Sequence, residues 1–291
     1  MSTRSSTVIL IVILLTAACK KDSAPPSVKA PEAPIRPITA GSNAYVTQFF
    51  EFNPAPGQFL NTGLANDSAA KAVAGTTQGL VSLGAWGGYI VYGFDHTVLD
   101  TAGPDLMIYG NAFSQFAEPG VVWVMQDRNG NGKPDDTWYE LAGSETGRPG
   151  YIRNYSVTYT RPDPTNGDVP WKDNKGNSGV IKTNMFHTQN YYPDNITSNT
   201  YTLTGTLLPS VNIDTTDPTY IISYSFLYGY GDNVGGGDPV DIATAIDSSG
   251  RPVTLKGIDY IKVQTGILFN MGWLGEQSTE FCGAADISLL K

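Results

Sequence analysis

Short apolar runs rich in Val, Ile, Tyr, Phe and Trp recur from Tyr45 to the C-terminus, separated by clusters of Gly, Pro, Asn and Asp. No helix-length apolar period lies between them. That pattern excludes alternating strand–helix units with a parallel sheet and predicts an all-β sandwich. The runs are Tyr45–Phe52, Val81–Phe94 broken at Gly87-Gly88, Leu106–Tyr109, Val121–Gln126, Trp138–Leu141, Tyr151–Thr160, Tyr201–Leu208, Ile221–Tyr228, Asp241–Ile246, Ile258–Gln264 and Ala285–Leu289. Val121–Gln126 is apolar on both faces, so it belongs inside a sheet. Trp86, Trp123 and Trp138 stand in strand-like runs and read as core. One piece reads as helix, Asp67–Ala74, with Asp67 or Ser68 as its cap. The segment 163–199 is rich in Asn, Gly, Asp, Pro and aromatics but poor in strand character, which predicts a long elaborated loop or a small subdomain on the sandwich.

Val121–Gln126 and Trp138–Leu141 flank Asp-Arg-Asn-Gly-Asn-Gly-Lys-Pro-Asp-Asp, and two β-formers about such a segment read as a hairpin. The loop is too long for a tight turn, so something must hold it. Calcium takes oxygen ligands at alternate residues, with a glycine where the chain turns and carboxylates to close the shell. Asp127, Asn129, Asn131, the Lys133 carbonyl, Asp135 and Asp136 supply that set, with Gly132 at the sixth position. Trp138 stands where an EF-hand carries its closing glutamate, so the spacing is closer to extracellular Asp-rich calcium repeats. The alternative is a solvated hairpin without metal.

The chain begins with Arg4 and a short apolar run, Val8–Leu15, followed by Thr-Ala-Ala-Cys. The run is too short to span a bilayer and reads as a signal peptide over residues 1–18. Ala17-Ala18-Cys19 resembles a bacterial lipobox, with Thr16 where an aliphatic residue is more usual. The resemblance implies cleavage before Cys19, lipidation of its thiol and an outer-membrane lipid anchor. Residues 19–43, rich in Pro, Ala and Ser, read as a tether. The folded body is then 44–291. Formal charge is −9, from 18 basic and 27 acidic residues; loss of Arg4 with the signal leaves 17 against 27, or −10. That balance argues against nucleic acid as a partner. With Cys19 lipidated, Cys282 is alone, so no disulfide framework exists.

Pro54–Phe59 (PAPGQF), Val81–Val98, Asp105–Phe113, Glu118–Glu145, Phe186–Pro193 (FHTQNYYP), Ile258–Gly266 (IDYIKVQTG) and Gly272–Glu280 (GWLGEQSTE) together resemble the uncharacterised "cell surface protein" lipoproteins of Bacteroidota. The resemblance runs from Tyr45 to the C-terminus. It implies a jelly-roll-like sandwich, and it implies a place at the cell surface beside an outer-membrane transporter, with corrinoids among the nutrients taken up. It carries no catalytic residues.

No nucleophile elbow, zinc-protease helix or phosphate loop is present. His96, at a strand end, reads as a structural histidine. His187 lies among aromatics and is a candidate ligand contact, as are Trp171, Tyr191, Tyr192 and Trp273, whose rings suit a sugar or a corrin face. Together these features predict a non-enzymatic lipoprotein that binds a small-molecule nutrient, corrinoid or glycan, for uptake. A structural or adhesive surface protein is the first alternative. A glycoside hydrolase using carboxylates such as Glu276 and Glu280 is the second.

Overall fold

The computed structural model describes residues 27–290; Met1–Ala18 and Cys19, the expected signal and lipidation site, lie outside the described residues. The chain is all-β and sandwich-like. Its largest sheet is antiparallel and orders six strands as Ala245–Ile246, Trp138–Leu141, Gly120–Met125, Gly257–Thr265, Tyr89–Leu99 and Gln48–Asn53. Gly120–Met125 is thus interior, as its two-sided apolar pattern requires, and Tyr230–Gly231 pairs with its first residues. A three-stranded sheet of Asp238–Val240, Leu106–Tyr109 and Gly283–Asp286 closes over one face.

Alternation decides which side chains meet there. Ile90, Tyr92 and Phe94 point inward, as do Val122 and Val124, and they pack with Leu106, Ile108 and Ala284. A register shift between Ile258 and Tyr260 lets Ile258 and Ile261, three residues apart, share that inner face. Gly93 lies on the outer face, where a Cβ would fall 2.9 Å from the Tyr260 ring and 3.0 Å from that of Phe50. Those two rings meet edge to face at 5.3 Å, so a side chain at 93 would part them.

The helix is shorter than its sequence suggests. It runs Asp67–Ala72, and the cap is Asn66, whose side chain accepts from the Ser68 and Ala69 amides. The Tyr92 hydroxyl donates to the Ala70 carbonyl and ties the helix to the core. No helix among the described residues is long and apolar enough to cross a membrane.

A second antiparallel sheet orders Ser178–Ile181, Val169–Asp173, Ile152–Thr160 and Thr200–Leu207. It covers its own core of Trp86, Tyr155, Val157, Tyr159 and Leu203. The segment 163–199 is therefore not a plain loop: it contains a hairpin. Asp173 closes the hairpin turn by accepting from the Lys175 and Asn177 amides. Conversely, the expected strand Ile221–Tyr228 shrinks to Ile222–Ser223, and Leu227 and Tyr228 are exposed.

The proline-rich segment also departs from expectation. From Ser27 on it lies against the body. Val28–Lys29 pairs in parallel with Val253–Thr254, Glu32 meets Lys256 at 2.9 Å, and Arg36 reaches the buried Asp259 at 3.0 Å. Prolines remove donors but leave carbonyls and side chains able to dock on an edge.

Candidate functional site

The Gly257–Thr265 strand sits between two long partners, so every residue on its outer face has neighbours on both sides. Lys262 is on that face, opposite Trp123 on one side and Val91 on the other. Tyr89 is opposite Gln264, and Trp138 is opposite Met125. The register surrounds the ammonium with rings: its nitrogen lies 4.6 Å from the Trp123 centroid, 5.2 Å from Trp138 and 5.6 Å from Tyr89. Ring faces are electron-rich and attract a cation at such distances, more strongly once water is stripped away.

Among the described residues the ammonium has no ion pair. The two nearest carboxylates are engaged by hydroxyls. Glu51 accepts from Tyr89 at 2.5 Å, and Glu140 accepts from Tyr151 at 2.7 Å and from Thr206 at 2.5 Å. Burial lowers the Lys262 pKa from 10.5 to about 8, against the pull of Glu51 and Glu140. A cavity of about 290 Å³ opens over this nitrogen. The large sheet gives it Glu51, Asn53 and Tyr89; the Thr200–Leu207 strand gives it Thr202 and Thr204; Pro134 and Trp138 form its remaining wall. The set combines flat rings, a three-proton donor, a carboxylate acceptor and hydroxyls that do both, which suits a polyhydroxylated ring.

Pro134 belongs to the expected calcium loop, so that loop walls the cavity. Its entry is fixed from the sheet: the Asp127 amide donates to Asp259 at 2.7 Å, and the Tyr260 hydroxyl donates to Asp127 at 3.3 Å. The Asp127 carboxylate accepts from the amides of Asn131 and Gly132 at 3.1 and 2.8 Å. Asp136 accepts from the Arg128 amide, and Asp135 from the side-chain amides of Asn129 and Asn131. Those two asparagines hold the Asp135 carboxyl below its ordinary range. The Asn131 side-chain oxygen accepts from the Lys133 amide. Gly130 and Gly132 take φ of +69° and +71°, which a side chain would resist. The three aspartates do not converge as a tight carboxylate cluster in this arrangement. The groups that do, among the described residues, are Asp100, Asp105 and Asp241, and Glu118, Asp232 and Glu280.

The five aromatic candidates go to different neighbourhoods. Tyr191 and Tyr192 are fully buried in the second core, so they are not ligand contacts on a surface loop. The Tyr191 hydroxyl accepts from the Asn184 amide, and that of Tyr192 donates to the Ser198 carbonyl. Aromatic area is normally buried, and the hairpin the sequence conceals supplies the cover. Trp171 stacks over Gly179 across that hairpin, where a Cβ would fall 2.7 Å from the ring. His187 stands edge-on to Phe59 at 5.1 Å. Trp273 is 52% exposed and donates to the Thr219 carbonyl at 3.0 Å. His96 is the structural histidine expected, buried with its two nitrogens 2.7 Å from Asp95 and 2.9 Å from Asp286.

Sequence reasoning missed Lys262, Tyr89, Glu51 and Asn53, and misplaced Trp138, which is half-buried on the outer face; Trp123 shares that face and packs against the cluster of Val121, Leu208 and Ile267. One signal was available. A lysine at an alternate position of Ile-Asp-Tyr-Ile-Lys-Val-Gln marks the face that does not enter the core. Compared with known proteins, the chain matches no family model and no curated protein.

Proposed function

We propose that the protein is a non-enzymatic, lipid-anchored surface protein that binds a sugar ring in the Lys262 cavity as part of nutrient capture. One observation carries this reading: an ammonium wrapped by three rings, without a carboxylate partner, beneath a cavity edged by hydroxyls, an amide and an engaged carboxylate. The desolvation of the lysine is already met by the fold, so a ligand oxygen arriving there gains a donor at little further cost. The volume supports glycan over corrinoid. About 290 Å³ lies at the low end of the ~300–1,000 Å³ typical of small-molecule sites. It accommodates a ring or two, and a corrin macrocycle needs far more room.

Titration of the purified chain with a neutral glycan panel and with cobalamin tests this, read by calorimetry and tryptophan fluorescence. Glycan binding is expected to weaken about tenfold, ~1.4 kcal/mol, in Lys262→Met, whose melt should not fall, and again in Trp138→Ala. Retained affinity in both variants rejects the site. Binding to no glycan, with measurable association to another surface protein, moves the function to adhesion. The anchor rests on the lipobox resemblance of Cys19, and undiminished acyl labelling of Cys19→Ala ends it.

A structural calcium in the Asp127–Asp136 loop belongs to the same reading, because the loop holds Pro134 against the cavity. An ion that binds only the folded chain stabilises it by ~2.7 kcal/mol at a hundredfold excess over its dissociation constant. Chelator is expected to lower the melting temperature of the parent chain by more than that of Asp127→Ala. Identical wild-type melts with and without chelator remove the ion from the loop.

A further inference from the structure

A second cavity, of about 240 Å³, has acids at its base and Phe59, Phe113 and Phe116 along its rim. Three separate segments bring carboxylates together beside it. Glu118 precedes the Gly120–Met125 strand, Asp232 follows Tyr230–Gly231, and Glu280 opens the short strand that pairs with Val81–Ser82. Their carboxylate oxygens come within 4.8 Å of one another. Asp232 is fully engaged: it accepts from the amides of Asn111, Ala112 and Glu280 at 2.9, 2.8 and 2.8 Å. Glu118 accepts from the Ser278 amide at 2.9 Å and Glu280 from the Ser278 hydroxyl at 3.1 Å.

Two further oxygens stand apart from this network. Glu276 and Gln277 line the same cavity and are 2% and 1% exposed. Glu276 uses one oxygen to accept from the Gln58 amide at 2.8 Å, and its Oε2 has no partner. Gln277 donates through its nitrogen to the Ala117 carbonyl at 2.7 Å, and its Oε1 has no partner. A buried acceptor left unmade costs about 1–3 kcal/mol, more when charged. Among the described residues no Lys, Arg or His forms an ion pair with any of these acids. Hydroxyl and amide donors answer Asp232 and one oxygen each of Glu118 and Glu280, but nothing answers these two.

We infer that this cavity is a site for a hard divalent cation, held by carboxylate oxygens of Glu118 and Glu280, with the unpartnered oxygens of Glu276 and Gln277 lining the same cavity and Asp232 fixing the backbone around it. The donor set is all oxygen, without the nitrogen or sulfur that would favour a softer metal. Carboxylates, an amide carbonyl and water on the open side are the ligands that calcium or manganese takes. The residues differ from those of the Lys262 cavity and of the Asp127 loop, so this site stands or falls separately from both.

The test uses the purified Asp127→Ala chain, which removes the loop as a competing ion site. Manganese is titrated by electron paramagnetic resonance, and calcium and magnesium by calorimetry. One bound ion is expected. The Glu118→Gln, Glu280→Gln double variant is expected to weaken it about a hundredfold and Glu276→Gln about tenfold. These amides keep an acceptor and remove repulsion, so the variants should melt no lower than their parent. Undiminished affinity in the double variant overturns the site, as does failure of the Asp127→Ala chain to bind any of the three ions. If methylammonium raises the melt and no divalent ion does, the cavity takes an organic cation against its phenyl rim, and the metal assignment is overturned.

Discussion

Lys262 and Glu276 are both ionisable side chains set below the surface without an ion-pair partner, yet their surroundings support them by different means. The lysine lies mid-strand in the large sheet, where the backbone N–H and C=O groups are committed to the ladder. What a strand can offer a cation is the faces of its cross-strand neighbours, and Trp123, Trp138 and Tyr89 supply them. The acids lie where irregular segments meet. There the backbone has amides to spare, and Asp232, Glu118 and Glu276 collect them from Asn111, Ala112, Glu280, Ser278 and Gln58. A sheet face can thus shelter a cation with rings, and a junction of loops can shelter anions with amides. The arrangement could not be reversed, because aromatic faces repel carboxylates and strands have no spare donors.

The largest expected effect breaks the amide side of this contrast. Asp232→Ala orphans three backbone donors at once, and at about 1–3 kcal/mol each the chain should lose 3 kcal/mol or more, read as a shift in denaturation midpoint. Asp232→Asn, which keeps an acceptor, should lose less. A loss under about 1 kcal/mol in Asp232→Ala would show that the amides do not carry the cluster.

A second prediction sets the two charges against each other in pH. Burial pushes the Glu276 carboxyl from 4.5 to about 8. Its folded pKa is raised, so between those values the folded chain holds the proton that the unfolded chain has released, and stability falls as pH rises. Lys262 is the mirror case, lowered from 10.5 to about 8 with Glu51 and Glu140 facing it and Tyr89 beside it. Between 8 and 10.5 the unfolded chain holds the proton, and stability rises. Each slope is about 1.4 kcal/mol per pH unit at most. Metal-free chain should therefore be least stable near pH 8. Glu276→Gln should flatten the acid-side slope and Lys262→Met the alkaline one; slopes that survive both substitutions would detach them from these residues.

The smallest effect is the most discriminating. Lys262→Met fills the same volume without a charge to desolvate, so at pH 7 it should melt at or slightly above the parent, by up to about 1 kcal/mol. A clear drop would mean that the rings stabilise the cation by more than its dehydration costs.

The fold was legible where strands are apolar and bounded by turn residues. Leu106–Tyr109 and Trp138–Leu141 were read to the residue. The Val169–Asp173 hairpin was not, because Pro170 and the Asn-Lys-Gly-Asn turn argue against a strand until the Ile152–Thr160 partner is in place. Ile221–Tyr228 was read as too long, since apolar residues such as Leu227 look like core and are exposed. The sites were less legible. Glu118, Asp232 and Glu280 lie 114 and 48 positions apart, and no spacing rule reaches across such gaps. The Trp138 ring was visible, but which face it takes depends on register, and that is set by pairing with Gly120–Met125.

The docking of Arg36 on Asp259 has a mechanical meaning. Tension arriving through Ser27 would meet the Val28 and Ala30 amides, bonded at 2.8 and 3.1 Å to the carbonyls of Pro252 and Thr254, and then the Arg36 clamp. Asp259 belongs to the innermost strand of the large sheet, so the load is delivered there and not to an edge that would peel. The same carboxylate grips the Asp127 amide. A pull entering at Ser27 would therefore be felt at the loop that walls the Lys262 cavity.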